Sequence, residues 1–168
     1  MAKKYWLIKS EPDVFSLDHL KNCPDQTEHW DGIRNYQARN LMRDEMQEGD
    51  EAIFYHSNAG KETGAVGLSR VVSESAYPDY TSWDPKSKYY DEKSSEENPR
   101  WVMVDFKWRA EFPKLVSLQD MKKADNLDGM LVIKQGQRLS IQPVEKKHFV
   151  EVCKMGGLKA SEIKALGL

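Results

Sequence analysis

The sequence predicts an α+β fold, a small mixed β-barrel or strongly curved sheet with helices around it. Three observations carry this. Strand-like and helix-like segments follow one another without the even rhythm of a parallel βαβ protein. Residues 101–109 alternate cleanly, with Val102, Val104, Phe106 and Trp108 facing one side and Met103, Asp105, Lys107 and Arg109 the other. Gly64 and Gly67 lie within another strand-like run, where glycine signals a bend or a close backbone approach. At 168 residues the chain suits one domain and buries a core without staples.

The elements follow in order. Tyr5-Trp6-Leu7-Ile8 is a short apolar strand, ended by the extended Glu11-Pro12 pair, so Lys9 and Ser10 sit at its carboxyl end. Ser16 caps a short helix from Leu17 to about Lys21, stopped at Asn22-Cys23-Pro24. A polar loop leads to Trp30. Asn35 is a good N-cap for a helix running from Tyr36 to about Met46, with Ala38, Leu41, Met42 and Met46 as its apolar positions. Residues 51–56 read as a strand and pair with 63–72 as a hairpin. Residues 75–99 form a long surface loop with three prolines and five aromatics, too aromatic for plain disorder. Ser117 opens a helix, 130–134 is ambiguous, 138–142 is extended and ends at Pro143, and 145–155 is a helix ended by Gly156-Gly157. The tail carries room for one more short helix.

Bulk properties exclude several classes. With 39% hydrophobic and 31% charged residues and a net charge of −2, this is no basic nucleic-acid coat. The charge is uneven. Residues 73–98 hold seven acids against three lysines, so the rest of the chain is net positive. Cys23 and Cys153 have no metal-type spacing and read as free thiols in a reducing compartment. No apolar run reaches membrane length, and Met-Ala-Lys-Lys-Tyr-Trp has no signal-peptide core, which points to an intracellular protein.

Neither a P-loop nor a GxGxxG motif is present, and the spacing of His19, His29, His56 and His148 matches no metal site. His56 and Ser57 are adjacent, hence on opposite strand faces, and no nucleophile elbow accompanies them. No catalytic residue, metal or cofactor is therefore assigned. Recognition of an unpaired base fits better. It needs an aromatic face, polar groups for the base edge and cations for flanking phosphates. Trp30 offers the face. Lys9, Ser10, Asp31, Asn35, His56, Ser57 and Asp79 are polar groups at strand ends or loops, and Arg34, Arg39 and Arg138 are the candidate phosphate contacts. Trp6, Trp101 and Trp108 fall inside strand patterns and read as core. The bland alternative at Trp30 is a core plug before an ordinary capped helix.

Four blocks make a family resemblance specific: Tyr5 to Pro12, Trp30 to Asn40, Phe54 to Asn58 and Gln137 to Pro143. With Ala76-Tyr77-Pro78-Asp79 and Cys153 to Leu158, they resemble the signature blocks of EVE-domain proteins over residues 3–158. The resemblance implies a single domain of PUA-like fold, related to YTH and ASCH domains, spanning residues 1–168. It implies a non-catalytic pocket reading a modified base, chiefly modified cytosine in DNA, with Trp30 similar to one cage tryptophan. The second aromatic has no clear counterpart; Tyr55, Tyr77 and Trp83 are the candidates, and Pro78 belongs to the same block as Tyr77. The partner implied is nucleic acid carrying a modified base, with DNA ahead of RNA, and no membrane. The location implied is cytoplasmic for a bacterial-type member and nuclear for a eukaryotic one. Two rival classes stay open: an RNA-binding PUA-like module, and a small nucleotide-acting enzyme using Lys9, His56 and Asp79. A single pocket with few phosphate contacts binds at about micromolar strength, so a protein partner, multivalency or an already flipped base is expected to help. The base-pocket reading requires Trp30 to be partly exposed beside a cavity.

Overall fold

The computed structural model describes residues 2–168. Its centre is a curled six-stranded sheet in the order β2-β7-β4-β3-β1-β8. The strands are β1 (Tyr5–Ser10), β2 (Thr27–His29), β3 (Glu51–His56), β4 (Gly64–Val71), β7 (Asp105–Ser117) and β8 (Ile141–Val144). A two-stranded ladder, β5 (Tyr77–Pro78) with β6 (Val102–Met103), closes the neck of the long loop. The helices are α1 (Leu17–Lys21), α2 (Tyr36–Asp44), α3 (Leu118–Lys123), α4 (Lys146–Met155) and α5 (Ala160–Ala165). None is long and apolar enough to cross a membrane.

The sheet is covered on both faces because its central strands alternate between two apolar sets. Trp6, Ile8, Ala52 and Phe54 pack with Leu17, Leu20, Ala38 and Met42 from α1 and α2. Leu7, Ile53, Tyr55 and Leu68 pack with Phe149, Val152 and Cys153 from α4. The caps follow the sequence. Ser16 Oγ accepts from His19 N at 3.1 Å, Asn35 Oδ1 from Ala38 N at 2.9 Å, and Ser117 Oγ from Asp120 N at 3.1 Å. Buried Asp50 pins the start of β1 to the turn before β3, accepting from Lys4 N, Trp6 Nε1 and Gln47 N.

The single parallel pairing places the carboxyl ends of β1 and β3 side by side, with Lys9 opposite Tyr55 and Ser10 opposite His56. The β3–β4 hairpin forms as the sequence predicts. Gly67 is the close approach expected of it: a Cβ there would lie 2.3 Å from Ala110 O and 2.5 Å from Leu17 Cδ2.

Several boundaries differ from the sequence reading. Residues 27–29 form an edge strand on β7, where only a polar loop was expected. The strand expected over 101–109 breaks at Val104 and then runs on to Ser117. Pro113 is tolerated because it falls where the β4–β7 register shifts between Ala65 and Gly67. Pro143 lies inside β8 and does not end it, which an edge strand permits because a missing N–H there breaks no central ladder. Helix α2 stops at Asp44, two residues short of Met46. Residues 131–133 form a 3₁₀ turn.

Gly67→Ala is expected to destabilise the fold by about 1–3 kcal/mol, because the added methyl meets a backbone carbonyl that cannot rotate away. Urea denaturation measures this; an unchanged midpoint would contradict the packing described.

Candidate nucleobase-binding site

The carboxyl end of β1 opens into a cavity of about 640 Å³, within the usual range for small-molecule sites. Lys9, Ser10 and Glu11 line it from the strand end, and Val14 and Phe15 from the turn before α1. Glu28 and His29 come from β2, Trp30 to Ile33 from the following loop, Lys88 and Tyr89 from the long loop, and Ser140 from the segment before β8.

Trp30 is held by its own backbone, its N–H donating to Val104 O at 2.8 Å. Its ring packs edge-on against Phe15, Phe54 and Phe106, with centroids 5.4–5.9 Å away. Only 8% of Trp30 is exposed, although the cavity lies beside it. It is therefore both core residue and cavity wall, more enclosed than the sequence led us to expect. The reason is β2: pairing of residues 27–29 with β7 draws the next residue under Phe106.

The loop from Trp30 to Arg34 takes its shape from Asp79, which is fully buried. Asp79 Oδ2 accepts from Gly32 N at 3.0 Å and Arg34 Nη1 at 3.0 Å, and Oδ1 accepts from Thr81 N and the Thr81 hydroxyl. Arg34 donates further to Tyr89 O through Nε at 3.0 Å and Nη2 at 2.7 Å. These bonds lay the Tyr89 ring on Gly32. A Cβ at Gly32 would be 2.7 Å from the ring, and its φ of +81° suits glycine. Tyr89 and Phe15 line the cavity with Trp30, whereas Tyr55, Tyr77 and Trp83 do not.

The remaining sequence candidates divide plainly. Lys9, Ser10, Trp30 and Asp31 come together on the cavity. The others are off its lining and have structural partners or other surroundings. Asn35 caps α2. Tyr55 is buried on the opposite sheet face, its phenol pushed up to about 12 by burial, with Lys9 Nζ 5.8 Å from its ring. His56 Nε2 accepts from Leu17 N at 3.1 Å, and burial pushes its pKa down, which suits a neutral acceptor. Ser57 N donates to Ser10 O. The Tyr77 hydroxyl donates to Asp105, and burial with that bond raises its pKa. Pro78 is exposed on β5. Asp79 and Arg34 shape the loop. Arg39 donates to Arg100 O and Asn40, and Arg138 is exposed two residues before Ser140. Lys9, His56 and Asp79 thus do not converge into a catalytic cluster.

The sequence reading missed Glu28, His29, Lys88 and Tyr89. His29 Nδ1 lies 2.9 Å from Glu28 Oε1, and its Nε2 lies 3.6 Å from Asp31 Oδ2. Burial, and then Asp79, push the Asp31 carboxyl up while His29 pulls it back. Burial lowers the Lys9 pKa. No group of three or more His, Cys, Asp or Glu among the described residues is arranged to hold a metal ion.

The EVE domain family model matches residues 4–155. The chain belongs to the EVE domain family. Thymocyte nuclear protein 1 of Gallus gallus is 43% identical over 162 residues, covering 86% of this EVE chain; the alignment spans 65% of the chicken protein's own length. The crystal structure of human THYN1 protein in complex with 5-methylcytosine-containing DNA superposes with a TM-score of 0.84 at 40% identity, covering 94% of this chain and 99% of that one. The Pseudomonas syringae protein PSPTO5229 superposes equally well, at 0.84 and 38% identity, covering 90% and 99%. The curled mixed α+β architecture is thus that of EVE domains.

Asp79→Ala is expected to cost roughly 3 kcal/mol, since it strands the Arg34 guanidinium and the Gly32 N–H. Asp79→Asn should cost less. Chemical denaturation measures both, and equal stability of Asp79→Ala and the parent would refute the bracing role.

Proposed function

We infer that this EVE domain is a non-catalytic reader of a modified nucleobase in nucleic acid, with modified cytosine in DNA as its preferred ligand. The observation that carries the reading is the cavity itself. It pairs aromatic surface from Phe15, Trp30 and Tyr89 with hydrogen-bonding groups from Lys9, Ser10 and Asp31, in a space with ample room for a planar base. The complex of the human relative with 5-methylcytosine-containing DNA supports it.

On this reading the residues take the following roles. Tyr89 is half-buried and supplies the adjustable aromatic face, while Trp30 is the fixed wall. Phosphate contact falls to Arg138, which is exposed, and to Arg39, which bonds to Arg100 O and Asn40 rather than to a carboxylate, whereas Arg34 is paired with Asp79 and tied to Tyr89 O. The Arg39 guanidinium lies 4.7 Å from the centroid of the Tyr36 ring, which is exposed and stacks on Trp101. Each stacked base is worth about 1–3 kcal/mol, and extrusion from a duplex costs a few. A single pocket with two phosphate contacts therefore binds weakly and favours an unpaired or already flipped base.

A panel of single-stranded oligonucleotides differing at one position (cytosine, 5-methylcytosine, 5-hydroxymethylcytosine or N6-methyladenine) tests this reading by fluorescence anisotropy. A preference for one modified cytosine is expected, with Tyr89→Ala weakening it by roughly 1–3 kcal/mol, about 5- to 150-fold. Equal binding of all four, or indifference to Tyr89→Ala, would end it. Arg39→Ala is expected to weaken every oligonucleotide alike and to reduce the slope of log K against log salt by about 1. A sequence-dependent loss would instead make Arg39 a base contact.

A further inference from the structure

Asp31 carries chemistry that stacking alone leaves unused. It follows Trp30 directly and lines the cavity beside it, with 28% of its side-chain surface still exposed. Its Oδ2 faces His29 Nε2 at 3.6 Å, and His29 Nδ1 faces Glu28 Oε1 at 2.9 Å, so the imidazole spans two carboxylates on one cavity wall. Other charged and titratable groups stand nearby. Asp79, behind the loop, is neutralised by Arg34 at 3.0 Å. The Tyr80 ring stands edge-on to His29, with centroids 5.7 Å apart. Lys88 comes from the long loop, and Lys9 and Glu11 from the end of β1. Burial holds the Asp31 carboxyl above the ordinary carboxylate range, so it takes up a proton more readily than an exposed acid.

Resting on the base-pocket reading, we propose that Asp31 is the specificity-determining residue, and that it selects bases with an amidine edge by sharing one proton with the base. Cytosine presents an exocyclic amine, a donor, beside the lone pair of ring N3. An ionised carboxylate accepts from the amine, but its second oxygen then meets the N3 lone pair. One proton taken from solvent, shared between that oxygen and N3, turns the repulsion into a charge-assisted hydrogen bond. No other bond changes. A protonated carboxyl also pairs with the N3–H and carbonyl edge of thymine, but that oxygen is far less basic than N3 of cytosine, so the bond is not charge-assisted and thymine gains less from the same proton. His29, oriented by Glu28, is the positioning residue: it aims the Asp31 carboxyl without contacting the base.

The test is the pH dependence of affinity for single-stranded oligonucleotides carrying 5-methylcytosine or thymine at one position. Binding of 5-methylcytosine is expected to tighten as the pH falls from about 8 to about 5.5, with one-proton uptake limiting the gain to about tenfold per pH unit. Thymine should change by much less. Asp31→Asn supplies donor and acceptor without a proton, so it should keep 5-methylcytosine binding and flatten the profile. Asp31→Ala should lose both binding and slope. His29→Gln should keep the slope and weaken binding, which excludes His29 as the titrating group. A profile that survives Asp31→Asn, or a parent affinity independent of pH, overturns the proposal. The two readings fail differently. If Tyr89→Ala weakens binding while the Asp31 variants change nothing, the base pocket stands and proton sharing falls. If Tyr89→Ala also has no effect, or no oligonucleotide binds at any pH, both fall.

Discussion

The carboxylate of Asp79 is the constraint on which the cavity depends. It is fully buried, and it accepts from the Gly32 backbone, the Arg34 guanidinium and both the backbone and hydroxyl of Thr81. An ionised group sealed from water persists only where such donors replace its hydration. Here the donors come from two segments far apart in sequence, the loop after Trp30 and the turn after β5. The bonds that solvate the charge are therefore the bonds that join the loops. Arg34 extends the link to Tyr89, and Tyr89 settles on the one residue in the Trp30 loop that has no side chain. Breaking any one of these contacts loosens the others.

Much of the sheet and its caps was legible in the sequence because local chemistry dictates them. Ser16, Asn35 and Ser117 cap where their side chains find the third N–H of a helix, a signal contained within a few residues. The strands at 5–10, 51–56 and 64–71 announce themselves because they are central, and their faces pack into two separate apolar sets. What was not legible depends on partners distant in sequence. Residues 27–29 become a strand only because β7 offers them an edge. Pro143 read as a terminator, yet it sits on an edge strand where no central ladder bond is required of it.

The site was read in part for the same reason. Lys9, Ser10, Trp30 and Asp31 are brought together by the end of β1 and the loop beside it. His56, Asn35 and Arg34 were equally good candidates by residue type, but the fold uses them. His56 solvates the first turn of α1, Asn35 caps α2, and Arg34 ties down the long loop. Polar groups at strand ends are needed as often to satisfy buried backbone as to meet a ligand. Tyr89 was hidden because nothing near it in sequence tells which of the loop's aromatics turns inward. Its counterpart signal is Gly32, and only the three-dimensional pairing of ring and glycine reveals it.

The narrow β5–β6 ladder has a consequence for diversification. Two residue pairs, Tyr77 with Met103 and Pro78 with Val102, close the neck of everything between them. The sheet is complete without that excursion, which gives the cavity only Lys88 and Tyr89. The fold thus divides labour between a sheet-built chassis and an inserted cassette. Exchanging the cassette between EVE proteins, while keeping the Asp79 anchor and the Tyr89 carbonyl that Arg34 holds, would redraw one wall of the cavity on an unchanged sheet.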